Sequence, residues 1–192
     1  MLLLALAGCV PHLYTEDTGS EPWSWEAPEN DWPMGEPPYG LVGSGFDEGE
    51  VVPDFRLLDQ RGQTVSLWQF YGQVILLDLS TMWCSPCQDL AAHTEESWEA
   101  YRDQGFVYLT VLAEDIQGQD PEVDDLVFWA DNFGISAPVL GDPGKRWSSL
   151  LGANLDYPRV WVVGRDLSVV EVLPPAPTDA MVVAAIEGHL GD

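Results

Sequence analysis

The sequence predicts an α/β fold with a central mixed β-sheet flanked by helices. Three observations lead there. The apolar run Val74-Ile75-Leu76-Leu77-Asp78-Leu79-Ser80 leads directly into a segment that can be helical from about Ser85 to Gln104, the pattern of a buried strand followed by an amphipathic helix. A second apolar run, Phe106 to Leu112, follows that helix at once, and strands alternating with helices build layered α/β sheets. Paired short runs around turn residues, one pair before this unit and one after it, read as hairpins.

In chain order, Asp54-Phe55-Arg56-Leu57-Leu58 and Gln63-Thr64-Val65-Ser66 flank Asp59-Gln60-Arg61-Gly62 and predict the first hairpin, an extra one at the N-terminal side of the sheet. Leu67 to Tyr71 is a short connecting turn before the 74–80 strand. After the 85–104 helix and the 106–112 strand, Ala113 to Pro121 is a polar, acidic loop. Glu122 to Phe133 places Val123, Leu126, Val127 and Ala130 on one helical face. Asp142-Pro143-Gly144 opens a further helix through about Leu151. Arg159 to Gly164 and Ser168 to Leu173 form the second hairpin, and Thr178 caps a last helix through His189. The expected order is ββ-β-α-β-α-α-β-β-α.

A chain of 192 residues suits one domain with appendages. At 46% hydrophobic it can build a sizeable core. Against 32 acidic residues stand 7 basic ones, Lys145 the sole lysine, for a net charge of −25. Without a basic patch, neither nucleic acid nor an anionic membrane surface is an expected electrostatic partner. The charge reads as a solvated acidic surface. From Val10 to about Gly45 the chain is rich in Pro, Gly, Glu, Asp and Ser, with Trp23, Trp25, Trp32 and Tyr39 interspersed and no sustained period. It reads as an acidic tether, whose tryptophans are expected to pack on the domain, or to have no role, rather than to dock a partner. The domain proper is expected over residues 46–192.

Chemistry concentrates in Trp83-Cys84-Ser85-Pro86-Cys87. The first cysteine falls at the predicted helix N-terminus, where unpaired N–H groups and the helix dipole stabilise a thiolate. The second lies one turn on, close enough to attack a mixed disulfide on the first. Pro86 fits the first turn, where its missing N–H loses no hydrogen bond. Half a zinc site, a structural disulfide and chance pairing compete with this reading. Zinc would need a second Cys/His pair at ligand spacing, and His12, His93, His189 and Cys9 are scattered. A disulfide closing so short a loop adds little stability. Redox chemistry is the reading the context favours, with no metal and no cofactor.

Asp78 carries a second signal. A carboxyl inside an apolar strand costs free energy unless paired or protonated. If it is buried rather than an exposed strand-end residue, burial raises its pKa and suits it to accept a proton from Cys87.

The N-terminal Leu6-Ala7-Gly8-Cys9 resembles a bacterial lipobox, in which residues 1–8 would be a signal-peptide remnant and Cys9 the lipid-bearing residue. The first nine residues are too few to span a bilayer. No Lys or Arg precedes Arg56, so the positive n-region usual in export signals is not seen, and either the true start lies upstream or the signal is degenerate. With Cys9 lipidated and Cys84 paired with Cys87, no cysteine is left over. The expected location is the bacterial cell envelope, facing the periplasm or exterior.

Over about residues 51–190 the chain resembles the thioredoxin superfamily, and within it the membrane-anchored TlpA/ResA-type and redoxin (AhpC/TSA-like) lipoproteins. The pieces are Val52-Pro53-Asp54-Phe55, Gly62-Gln63-Thr64-Val65-Ser66-Leu67, the strand into Trp83–Cys87, Ala137-Pro138-Val139-Leu140 with Asp142, and Tyr157-Pro158-Arg159-Val160-Trp161-Val162-Val163. The resemblance implies a thioredoxin-like fold and thiol-disulfide oxidoreductase activity toward protein thiols and a membrane redox partner. It implies that Cys84 is the nucleophile and Cys87 the resolving thiol. It also places Pro158 at the family's cis-proline and Asp78 at the place of the buried acid. Trp83, Ser85, Pro86 and Tyr157 would contact substrate, with Ser-Pro tuning the potential. His93 and His189 are expected to be surface or packing residues.

Two rival readings stand beside it. A peroxiredoxin is suggested by Thr81-Met82-Trp83-Cys84, although its proline is Leu77 here and its arginine would be Arg159, one place beyond the match. A non-catalytic copper-delivery protein of the same fold would use a wider CxxxC and a distant His.

Overall fold

The computed structural model describes residues 25–153 and 155–191. The expected leader over residues 1–8, the lipid acceptor Cys9 and the tether up to residue 24, Trp23 included, lie outside the described residues.

Seven strands form one sheet: β1 (Arg56–Asp59), β2 (Thr64–Ser66), β3 (Val74–Ser80), β4 (Phe106–Leu112), β5 (Val139–Gly141), β6 (Arg159–Val163) and β7 (Val169–Val172). Their spatial order is β2-β1-β5-β4-β3-β6-β7. Among the described residues three α-helices accompany them: α1 (Ser85–Tyr101), α2 (Val123–Phe133) and α3 (Asp179–His189). The sheet is mixed. β3 runs parallel to β4, and β4 to β5, while β6 is antiparallel to β3 and β1 to β5. Every residue of β3 and β4 is buried, because these central strands are covered on both faces and so read as unbroken apolar runs. α1 packs on β4, α3 on β3 and β6, and α2 on β5 and β1.

Both predicted hairpins form. After α1 the chain tightens into a 3-10 turn, Arg102–Gln104, and Gly105 at φ 80° reverses it into β4. Only glycine adopts that left-handed conformation freely.

The sequence pattern assigns no element to β5, Val139–Gly141, the strand that joins β4 to the N-terminal hairpin. Three expectations need correction. The helix expected from Asp142 through Leu151 is instead two 3-10 turns, Pro143–Lys145 and Ser148–Leu151. Gly144 and Lys145 both take positive φ, which ends the first turn, and the buried Asp142 carboxylate accepts the N–H groups of Trp147 and Ser148 at 3.1 and 2.8 Å. On α2, Trp129 rather than Val127 completes the buried face with Leu126 and Ala130. Thr178 does stand at the N-cap of α3, but its side chain makes no capping hydrogen bond.

The tryptophans of the acidic stretch pack on the domain where they are described. The Trp32 indole N–H donates to the buried Asp59 carboxylate at 2.6 Å, and Arg61 lies 4.1 Å over the same ring. The Trp25 indole donates to Ser66 Oγ, and Asn30 donates to the outward-facing carbonyl of Thr64 on β2. Residues 25–35 thus cover the open edge of the sheet, where unpaired backbone groups would otherwise stand. At the opposite edge, Gly49 and Val52 donate to the carbonyls of Val169 and Leu167 beside β7. Tyr39, between these two contacts, is exposed.

Candidate active site

The central strand delivers the site. β3 ends at Ser80, three residues turn the chain, and Cys84 becomes the N-cap of α1 with extended backbone, φ −84° and ψ 117°. Its Sγ accepts the Cys87 N–H at 3.3 Å. One of the helix's orphan donors is therefore aimed at sulfur, as a serine or aspartate oxygen would be used in an ordinary cap. Pro86 stands in the first turn without an N–H to leave unpaired. Cys84 and Cys87 form a disulfide, so the sulfurs stand here for the oxidised state of the dithiol. Cys84 retains 5% of its surface exposed and Cys87 none; only the first sulfur can meet a substrate.

A second segment approaches from the loop before β6. The Tyr157–Pro158 peptide is cis, and the Tyr157 carbonyl oxygen lies 3.5 Å from Cys84 Sγ. Pro158 is buried, while Ser85 and Pro86 are exposed. Trp83 is 49% exposed and stands edge-on to Tyr157, ring centroids 6.3 Å apart. Of the four residues expected to touch substrate, Trp83, Ser85 and Pro86 flank Cys84 in the chain and are exposed, and Tyr157 meets its sulfur through the backbone carbonyl.

Asp78 is buried in the middle of β3, paired in register with Thr110 of β4 and Val160 of β6. Its face follows from Tyr108, whose hydroxyl bonds Thr94 of α1. Thr110 points the same way as Tyr108 on a strand of period two, and Asp78 lies beside Thr110, so its carboxyl is on the side of the sheet that α1 covers. Among the described residues its one side-chain hydrogen bond is from Ser80 Oγ, 2.6 Å to Oδ1. Burial pushes its pKa up to about 7, with the Ser80 bond opposing. Burial, and then the Asp78 charge, raises the Tyr108 phenol as well.

Sequence reading missed Glu114 and Lys145. Glu114 Oε2 accepts the Trp83 indole N–H at 2.6 Å, and Oε1 pairs with Lys145 Nζ. The hydrogen bond to Glu114 raises the Lys145 ammonium, and burial raises the Tyr157 phenol. The sole lysine of the chain was the one available signal. The remaining titratable candidates lie elsewhere: His93 is exposed on α1, and His189 pairs with Glu171 at 3.1 Å. Thr81 Oγ1 is buried without a hydrogen-bond partner, and Arg159 is exposed.

An α/β sheet whose central strand feeds a disulfide at a helix N-terminus, faced by a cis-proline loop, defines the thioredoxin superfamily. Residues 49–172 match the AhpC/TSA family, and the chain belongs to it. Its similar curated relatives include the thioredoxin-like protein YneN of Bacillus subtilis, 29% identical over 59% of this chain and 60% of that protein. The thiol-disulfide oxidoreductase ResA of Halalkalibacterium halodurans is 26% identical over 72% of this chain and 75% of that protein. The match thus spans less than two thirds of YneN's length and three quarters of this ResA. Among solved structures, a DsbE-like thiol:disulfide interchange protein from Chlorobium tepidum superposes with a TM-score of 0.63 at 25% identity, covering 77% of this chain and all of the other.

The Asp78 pKa has a stability consequence. A carboxyl raised from 3.8 to about 7 on folding binds a proton more tightly folded than unfolded, so the fold is weakened as pH rises from about 4 to about 7, and no further above it. Asp78→Asn should therefore raise the Tm at pH 8, by at most on the order of 4 kcal/mol of stability, with the gain shrinking toward zero near pH 4. A Tm difference independent of pH would show that Asp78 is not a buried neutral acid.

Proposed function

We propose that this protein is a thiol-disulfide oxidoreductase that exchanges disulfides with protein thiols through Cys84 and Cys87. The observation that carries the reading is the placement of the Cys84 sulfur: capped by the Cys87 N–H at the start of α1, beside the cis Tyr157–Pro158 peptide, with a neutral-range acid buried in the strand that leads to it. In the reduced enzyme the Cys84 thiolate attacks one sulfur of a substrate disulfide. The substrate's S–S bond breaks, a Cys84–substrate mixed disulfide forms, and one substrate sulfur leaves as a thiolate that takes up a proton. Cys87 then gives its proton to the Asp78 carboxylate and attacks Cys84 Sγ. The mixed disulfide breaks, the second substrate sulfur leaves as a thiolate that takes up a proton as Asp78 gives its own up again, and the Cys84–Cys87 disulfide stands as in this structure. Two electrons pass from the dithiol to the substrate, and the cycle runs backwards when the potentials favour it. The likeness to ResA, named as a thiol-disulfide oxidoreductase, supports the reading.

The exchange is placed outside the cytoplasm, where disulfides persist. Leu6-Ala7-Gly8-Cys9 and the three-cysteine count support lipidation at Cys9; two or more acyl chains anchor a protein stably where one does not. The anchored enzyme would receive or pass on electrons through a redox partner in the same membrane.

Two experiments check this reading. Cys84→Ser should abolish reduction of insulin disulfides, whereas Cys87→Ser should accumulate a mixed disulfide with substrate, detected by mass spectrometry. A Cys87→Ser variant that turns over like wild type, or a trap forming on Cys87 instead, would reverse or remove the assigned roles. Expressed in its native host from its own gene, the protein should fractionate with membranes, and Cys9→Ser should release it. Wild-type protein recovered from the cytoplasm with a free thiol on Cys9 would refute the anchor and leave the exchange chemistry intact.

A further inference from the structure

Two residues past the end of β4, Glu114 ties together three segments of the site that are distant in sequence. Its backbone carbonyl accepts the Met82 N–H at 3.1 Å, which fixes it against the turn that carries Trp83. Its Oε2 holds the Trp83 indole, and its Oε1 holds Lys145 from the 3-10 turn after β5. Tyr157, from the cis-proline loop, lies in the field of both charges, with its ring edge-on to the same indole. The Glu114 side chain is 15% exposed, so this is a half-sheltered carboxylate with both oxygens engaged.

Two further features set the cluster apart. In a chain of net charge −25 the only lysine stands here, and its backbone sits at φ 51°, a conformation that residues with a side chain rarely adopt. Local strain of that kind is kept where surrounding structure over-determines it.

We propose that Glu114 is a positioning residue for disulfide exchange: it holds the Trp83 indole as a fixed wall beside Cys84, against which the polypeptide of a protein disulfide substrate rests. A half-exposed indole on a turn would otherwise have to be ordered at each encounter, and ordering a side chain on binding weakens affinity. A charge-assisted hydrogen bond orders it beforehand. The inference rests on the exchange reaction proposed above, and it assigns Glu114 and Lys145 to the recognition of protein substrates, not to the electron transfer itself.

The test is a double-mutant cycle on insulin reduction by the full chain. Glu114→Ala should lower kcat/KM by about tenfold, chiefly through KM, the scale of losing a hydrogen bond to a charged group. In a Trp83→Ala background the same substitution should cost less than twofold, because the wall it positions is gone. Glu114→Gln, which keeps an acceptor for the indole, should recover most of the loss. Full activity of Glu114→Ala, an equal loss in both backgrounds, or a Gln variant as poor as Ala would each overturn the assignment while leaving the Cys84 chemistry standing. A wild-type protein inactive on insulin would overturn the exchange reading, and this inference with it. Tm values measured alongside exclude unfolding as the cause of any loss.

Discussion

One short contact organises this molecule: the Cys87 N–H pointing at the Cys84 sulfur, 3.3 Å away, at the first turn of α1. The contact exists because β3 is buried from end to end and cannot shift in register against β4 and β6 without exposing apolar side chains. The strand therefore delivers the turn at one place, and the helix starts where the strand has left it. Around that fixed point the other segments assemble: the cis-proline loop against the sulfur, and the Glu114 loop against Trp83. The chemistry of the site is the electrostatics of a helix N-terminus applied to sulfur.

Asp78 is what the same rigidity costs. The strand that must be apolar to be buried carries a carboxyl in its middle, answered by a single hydroxyl and no cation. Burial lifts its pKa to about 7, near the pH at which a proton acceptor for a thiol is useful. Stability is given up above the acidic range in exchange for a group that takes and returns a proton at neutral pH.

Much of this was legible in the sequence, for reasons that differ residue by residue. β3, β4 and both hairpins declare themselves because burial on two faces produces continuous apolar runs and turn residues punctuate them. Cys84 and Cys87 stood out as a pair two residues apart at a strand-to-helix junction, and Asp78 as a carboxyl inside an apolar run. β5 was not: Val139-Leu140-Gly141 is three residues between two proline-containing stretches, and it is a strand because β4 and β1 offer it edges. The 142–151 stretch misled because its composition allows a helix while Gly144 and Lys145 take positive φ. Glu114 and Lys145 lay beyond reach because their partners are 31 residues away along the chain. Trp32 belongs with them, since its meaning depends on a buried Asp59 that it meets across 27 residues.

The claim that the α1 N-terminus activates Cys84 is tested most directly by titrating the reduced protein, following thiolate absorbance or the rate at which iodoacetamide alkylates Cys84 as a function of pH. A free cysteine titrates near ~8.5. The account predicts that Cys84 titrates well below that value and is alkylated much faster than Cys87 at neutral pH. A Cys84 midpoint at or above ~8.5, or equal reactivity of the two thiols, would contradict it.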